Sequence, residues 1–164
     1  MDLDPDNLAQ FSALLESVPK SFVSLHEPFR NASHHTPQTT VSELRRLINS
    51  FKLLRYSTPS AAVTVEVELK RIIAYVRYYF EALPLGEGLP STELQHADDL
   101  MLLAGNAFVN LWKLTGDEGH LFNAVYLLEY ALTKSTQSFL ARLILIRIYR
   151  LLGEYLAGAG TTKV

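Results

Sequence analysis

Apolar residues recur at helical spacing along most of this chain, and this periodicity limits the fold more than any other feature. The clearest example is residues 123–153, where two apolar helical patterns meet at a short polar turn. Spacing of three and four residues places side chains on one face of an α-helix. An earlier segment shows the same spacing in Leu44, Leu47, Ile48, Phe51 and Leu54. The chain is therefore predicted to be all-α, with antiparallel helix pairs.

Residues that typically cap helix N-termini indicate where the first two helices begin. One is predicted over about residues 7–19, and a loop rich in His, Pro, Ser and Thr follows over residues 20–39. Thr40 and Glu43 then have the spacing of a capping box, in which each side chain serves the other's backbone N–H. A second helix is predicted to begin there.

Residues 63–69 are ambiguous because apolar and polar residues alternate strictly, which is typical of a strand. The same residues also begin an apolar stripe at helical spacing. Thr58 and Pro59 offer an N-cap followed by proline at the first helical position. No partner strand is visible elsewhere, and an isolated strand would leave backbone groups unpaired. We favour a helix over about residues 59–83.

Three further helices are predicted in the rest of the chain. The first begins at a cap near Ser91 or Thr92 and ends at Gly116. Its apolar stripe consists of Leu94, Ala97, Met101, Ala104, Phe108 and Leu111. The other two are predicted over about residues 118–133 and 137–156.

Gly158 and Gly160 are expected to stop the last helix. The predicted organisation has three parts: residues 1–55 with the N-terminal helices, residues 56–157 with a helical repeat segment, and a flexible tail at 158–164.

Small and apolar residues near the C-terminus match part of the tetratricopeptide pattern, W-x2-L-G-x2-Y followed by A-x3-F. Small residues at these positions let two helices approach closely. The alternative is an ordinary helical bundle. The residues predicted to pack within the repeat are Ala124, Leu128, Ala131, Leu145, Ile146, Tyr149 and Gly153, the last marking the end of its helix.

Composition excludes several functional classes. The net charge is −2 with no strong basic excess, so direct binding to DNA is not expected. The absence of cysteine excludes disulfides and thiolate zinc sites. No segment has the length of a membrane span or the pattern of a signal peptide. A cytoplasmic protein without cofactor or metal is predicted.

Few residues suggest a catalytic or metal-binding role. His96 and Asp99 share a helix face next to Asp98, but two ligands without a third make a weak metal site. His34 and His35 lie in a loop without other ligand residues at fixed spacing. Neither a nucleophile elbow nor a phosphate-binding glycine loop occurs. No catalytic residue is predicted.

Two groups of basic residues suggest binding. Lys70, Arg71 and Arg77 alternate with tyrosines, a combination found in RNA-binding surfaces. Neighbouring glutamates dilute that charge, so a solvated helix face is the favoured interpretation. Arg142, Arg147 and Arg150 fall within one arc of the last helix and are predicted either to face a partner or to form its solvent side.

The C-terminal two thirds of the chain resemble a known family. About residues 56–153 resemble the fungal non-catalytic auxiliary subunit of the N-terminal acetyltransferase B complex. The ordered segments of the match are Thr92-Glu93-Leu94-Gln95, Ala97-Asp98-Asp99-Leu100, Leu111-Trp112, Leu127-Leu128-Glu129 and the stretch from Ile146 to Gly153.

The resemblance implies a large helical solenoid of tetratricopeptide-like repeats without an active site. Such subunits wrap a smaller catalytic subunit, which acetylates the N-terminal methionine of chains beginning Met-Asp, Met-Glu, Met-Asn or Met-Gln. They also help attach the complex to ribosomes. Family members are several times longer than 164 residues, so the chain is expected to be a segment whose last helix is uncapped and self-associates.

Three functions remain open on these grounds. The favoured one is a protein-interaction scaffold that supports N-terminal acetylation. The second is a helical-repeat adaptor unrelated to acetylation. The third is a small metal-dependent hydrolase that uses the region of His96.

Overall fold

The computed structural model describes residues 40–90 and 92–160, with side chains described as far as Glu154. This part of the chain contains no strand, which confirms the prediction of an all-α fold. The predicted first helix, the loop over residues 20–39 and His34 and His35 lie outside the described residues. The described helices are α1 (Val41–Ser57), α2 (Val65–Ala82), α3 (Asp98–Thr115), α4 (Gly119–Lys134) and α5 (Phe139–Gly160). They belong to one compact unit of the chain, Gln38–Val164.

The helices form two layers. Helix α2 packs along α3, α3 along α4, and α4 along α5. Short connections make α3 and α4 antiparallel, and likewise α4 and α5. Helix α3 also contacts α1 and α5, so these three lie in one layer and α2 and α4 in the other. This arrangement of stacked antiparallel pairs is tetratricopeptide-like, as the sequence predicted.

Helix α3 is the most deeply buried element. Gly105 lies against Leu128 of α4, because a Cβ atom there would stand 3.0 Å from Leu128 Cδ1. The side chains of α3 with at most 3% exposure are Leu100, Met101, Ala104, Ala107, Phe108 and Leu111.

Helix α1 begins as predicted, with the Glu43 N–H donating to Thr40 Oγ1 at 3.2 Å. Its face toward the core is aromatic as well as aliphatic. The Phe51 ring meets Tyr75 edge-on at 5.0 Å and lies 5.7 Å from the Tyr78 ring. Leu54, however, is 42% exposed, so the predicted apolar stripe is buried only from Leu44 to Phe51, about two helical turns.

The predicted start of the helix at residue 59 was wrong. Thr58 is extended, as the residue before a proline prefers to be, and it caps the end of α1. Residues Ser60–Ala62 form a short 3-10 helix with no buried side chain, so packing does not extend it. Helix α2 begins at Val65, where the Val67 N–H donates to Thr64 Oγ1 at 3.3 Å. The alternating segment is nevertheless helical.

The predicted cap at Ser91 or Thr92 was also wrong, because α3 begins only at Asp98. The Gln95 N–H donates to Ser135 Oγ at 3.3 Å. This contact spans 40 residues of sequence and holds the preceding segment in turns rather than a helix. Leu94 therefore lies outside α3, and its side chain is 54% exposed.

Glycines were predicted to end two of the helices. Gly116 has φ of 73° and closes α3, because the left-handed conformation is open to glycine. Helix α5 instead continues through Gly153 and Gly158 and reaches Gly160. The prediction that Gly153 marks the end of the helix was therefore wrong. Of the two glycines predicted to stop it, Gly158 lies within the helix and Gly160 is its last residue. The helix formers that follow Gly153 continue the helical pattern past it.

A buried charge joins α1 to α2. Glu68 is fully buried and accepts from Arg55 of α1 at 3.1 Å and from Arg71 at 2.9 Å. Arg71 also donates to Thr58 Oγ1 at 2.7 Å, and the Thr58 hydroxyl donates to the Leu54 carbonyl. These hydrogen bonds connect the C-terminus of α1 to the first turns of α2. Each carboxylate oxygen of Glu68 has a cationic partner, as a buried charge requires.

Replacing Glu68 by glutamine should destabilise the protein strongly. Glu68→Gln leaves two partly buried guanidinium groups without their anion, a change that typically costs about 3 kcal/mol. The matched control is Glu66→Gln, since Glu66 is exposed and pairs with Lys70 on the surface, where an ion pair contributes little to stability. Urea denaturation of both variants measures the difference. Equal losses of stability would contradict the structural role assigned to Glu68.

A second buried carboxylate anchors the start of α3. Asp98 is 8% exposed, and the Ser135 hydroxyl, just after α4, donates to Asp98 Oδ2 at 2.5 Å. Among the described residues, Oδ1 has no hydrogen-bond partner. Burial raises the pKa of Asp98 to about 6, the Ser135 hydrogen bond opposes the rise, and Asp99 adds to it. The carboxyl group therefore binds a proton more tightly in the folded chain than in the unfolded one.

This difference in pKa makes stability depend on pH. An unfolded aspartate has a pKa of about 3.9, so the free energy of unfolding should fall as pH rises from about 4 to about 6. Asp98→Asn keeps an acceptor for Ser135 and removes the ionisation. Its stability relative to the wild type should grow over that interval by up to about 3 kcal/mol.

Urea denaturation at several pH values measures this effect. The control is Glu87→Gln, because Glu87 is exposed and is not among the groups that shift the pKa of Asp98. A stability difference between Asp98→Asn and wild type that stays constant from pH 4 to 7 would contradict the assignment.

Candidate protein-interaction surface

One side of helix α5 presents apolar side chains to solvent. Its opposite side is buried through Ala141, Leu145, Ile148 and Leu152. At about 100° per residue, three of the exposed residues fall within an arc of about 60° that extends for about 10 Å. Leu140 and Tyr149, which are 56% and 48% exposed, lie about 90° to either side of the centre of that arc. We call this arc the outer face of α5; it consists of Phe139, Leu143 and Ile146, which are 65%, 40% and 56% exposed.

Arginines border the outer face. Helical spacing puts Arg142 and Arg147 about 70° to either side of its centre and Arg150 on its C-terminal extension. All three are exposed, and no acidic residue occurs between Phe139 and Gly153. The Arg142 guanidinium donates to the Thr136 carbonyl, which holds it beside the start of the helix. The outer face is thus an apolar stripe with cationic edges.

A tyrosine connects the side of α5 to α4. The Tyr149 hydroxyl donates to Glu129 Oε1 at 2.9 Å, although the Tyr149 side chain is 48% exposed. Partial burial and the hydrogen bond to Glu129 raise the pKa of Tyr149. The phenol therefore keeps its proton at neutral pH and helps to hold α5 against α4.

The residues predicted for repeat packing divide between interior and surface. Ala124, Leu128 and Ala131 of α4 are buried, as is Leu145 of α5. Ile146 lies on the outer face, and Tyr149 lies beside it. A Cβ atom at Gly153 would meet nothing within 4 Å, so this position is open. Their assignment to tetratricopeptide repeat positions stays a prediction.

Phe139 belongs to the outer face but was not among the predicted site residues. The signal was present in the sequence, since Phe139 lies one helical turn before Leu143 and two before Ile146. Its exposure could not be read from the pattern, because an apolar helix position is buried or exposed according to what packs beside it.

A groove adjoins the N-terminal end of the outer face. Its volume is about 200 Å³, and it separates the start of α3 from the start of α5. Its walls are mainly apolar, and its polar lining includes His96, Asp98 and Asp99. Residues 40–90 and 92–154 show no group of three or more His, Asp or Glu side chains arranged to hold a metal ion.

The basic residues of α2 are engaged within their own helix. Lys70 pairs with Glu66, Arg71 with Glu68 and Arg77 with Glu81. Tyr75 and Tyr79 are buried in the core, so they cannot offer a ring face for stacking on a base. This helix face is therefore a poor candidate for RNA. Helices long and apolar enough to cross a membrane are absent from the described part of the chain.

Comparison with known proteins identifies the family to which the chain is similar. A family model described as the N-acetyltransferase B complex (NatB) non catalytic subunit matches residues 2–157. The human N-alpha-acetyltransferase 25, NatB auxiliary subunit, is 40% identical over 77 residues, which are 47% of this chain and 8% of the human protein. In Schizosaccharomyces pombe, the N-terminal acetyltransferase B complex subunit arm1 is 30% identical over 171 aligned positions, covering 86% of this chain and 21% of that protein.

Three conclusions follow from these matches. The chain spans at most about a fifth of the length of these relatives. The similarity extends to animal proteins, so the resemblance is not restricted to fungi. Because the family model covers nearly the whole chain, this chain belongs to the family of non-catalytic subunits of the N-acetyltransferase B complex.

Proposed function

We propose that this chain is part of a non-catalytic scaffold that supports N-terminal protein acetylation by acetyltransferase B. The observation that carries the proposal is the match of residues 2–157 to the family model of the non-catalytic subunit. An exposed apolar patch on a folded helical unit is typical of a surface that binds another protein. The partner we propose is the catalytic subunit of the complex.

The mechanism of such a scaffold is one of shape and burial rather than chemistry. The stacked pairs α2 with α3 and α4 with α5 fix the orientation of the outer face, because α5 is held by contacts to both α3 and α4. A partner that covers Phe139, Leu143 and Ile146 removes apolar surface from water, at about 25 cal/mol for each Å². We further propose that the complex acts in the cytoplasm and that the scaffold also contacts the ribosome.

Co-purification tests this proposal. The tagged full chain is co-expressed with the acetyltransferase B catalytic subunit, and the amount of catalytic subunit retained is measured. The wild-type chain should retain it, and Ile146→Asp should reduce retention at least about tenfold, since a charge replaces a central apolar contact. Circular dichroism confirms that each variant is folded.

The matched control is Leu53→Asp on α1, because Leu53 is an exposed aliphatic side chain, 69% against 56% for Ile146, on another helix. It should retain the catalytic subunit as well as the wild type does. Failure of the folded wild-type chain to retain the subunit, or equal retention by all three chains, would contradict the proposal. Retention of a different protein instead would favour the adaptor unrelated to acetylation.

A further inference from the structure

We draw no further inference here: the strongest candidate, the groove of about 200 Å³ between the start of α3 and the start of α5, rests on the acidic residues Asp98 and Asp99 at a helix N-terminus, and nothing in the structure shows the unpartnered Oδ1 of Asp98 facing into that groove.

Discussion

The burial of helix α3 is the constraint on which the rest of the structure depends. Its side chains pack against α2 on one side and α4 on another, and it also contacts α1 and α5. Fully burying one large apolar side chain contributes about 1.5 to 3 kcal/mol, and α3 buries several, including Met101 and Phe108. Because α3 fixes both layers, it also fixes the orientation of α5 and the direction in which the outer face points.

Two buried carboxylates determine how the elements around α3 join. Glu68 holds the end of α1 to α2 through two arginines, and Asp98 holds the start of α3 to Ser135 after α4. The two differ in their partners. Glu68 has a guanidinium for each oxygen, whereas Asp98 has a hydroxyl donor on one oxygen and carries a raised pKa. The first contact is a pair of ion pairs, whereas the second weakens as pH rises.

Periodicity predicted the helices but not all of their ends. The stripe that includes Met101 and Phe108 identified α3, since side chains three and four residues apart must share a face. The predicted helix ends were wrong where a contact distant in sequence determines the end. Ser135 holds Gln95 outside α3, and nothing near Gln95 in the sequence reveals this. The predicted start of α2 was wrong because Thr58 and Thr64 are both good N-cap residues, and only packing distinguishes them.

The outer face of α5 was only partly predictable for a related reason. Helical spacing places Ile146 and the three arginines on the exposed side, but exposure depends on what packs beside the helix. The chain offers a direct way to measure it, because it contains no cysteine. Single variants Ile146→Cys and Leu53→Cys can be alkylated with and without the acetyltransferase B catalytic subunit. The catalytic subunit should slow alkylation at position 146 and leave the alkylation rate at position 53 unchanged. Equal alkylation rates at position 146 with and without a bound subunit would contradict this expectation.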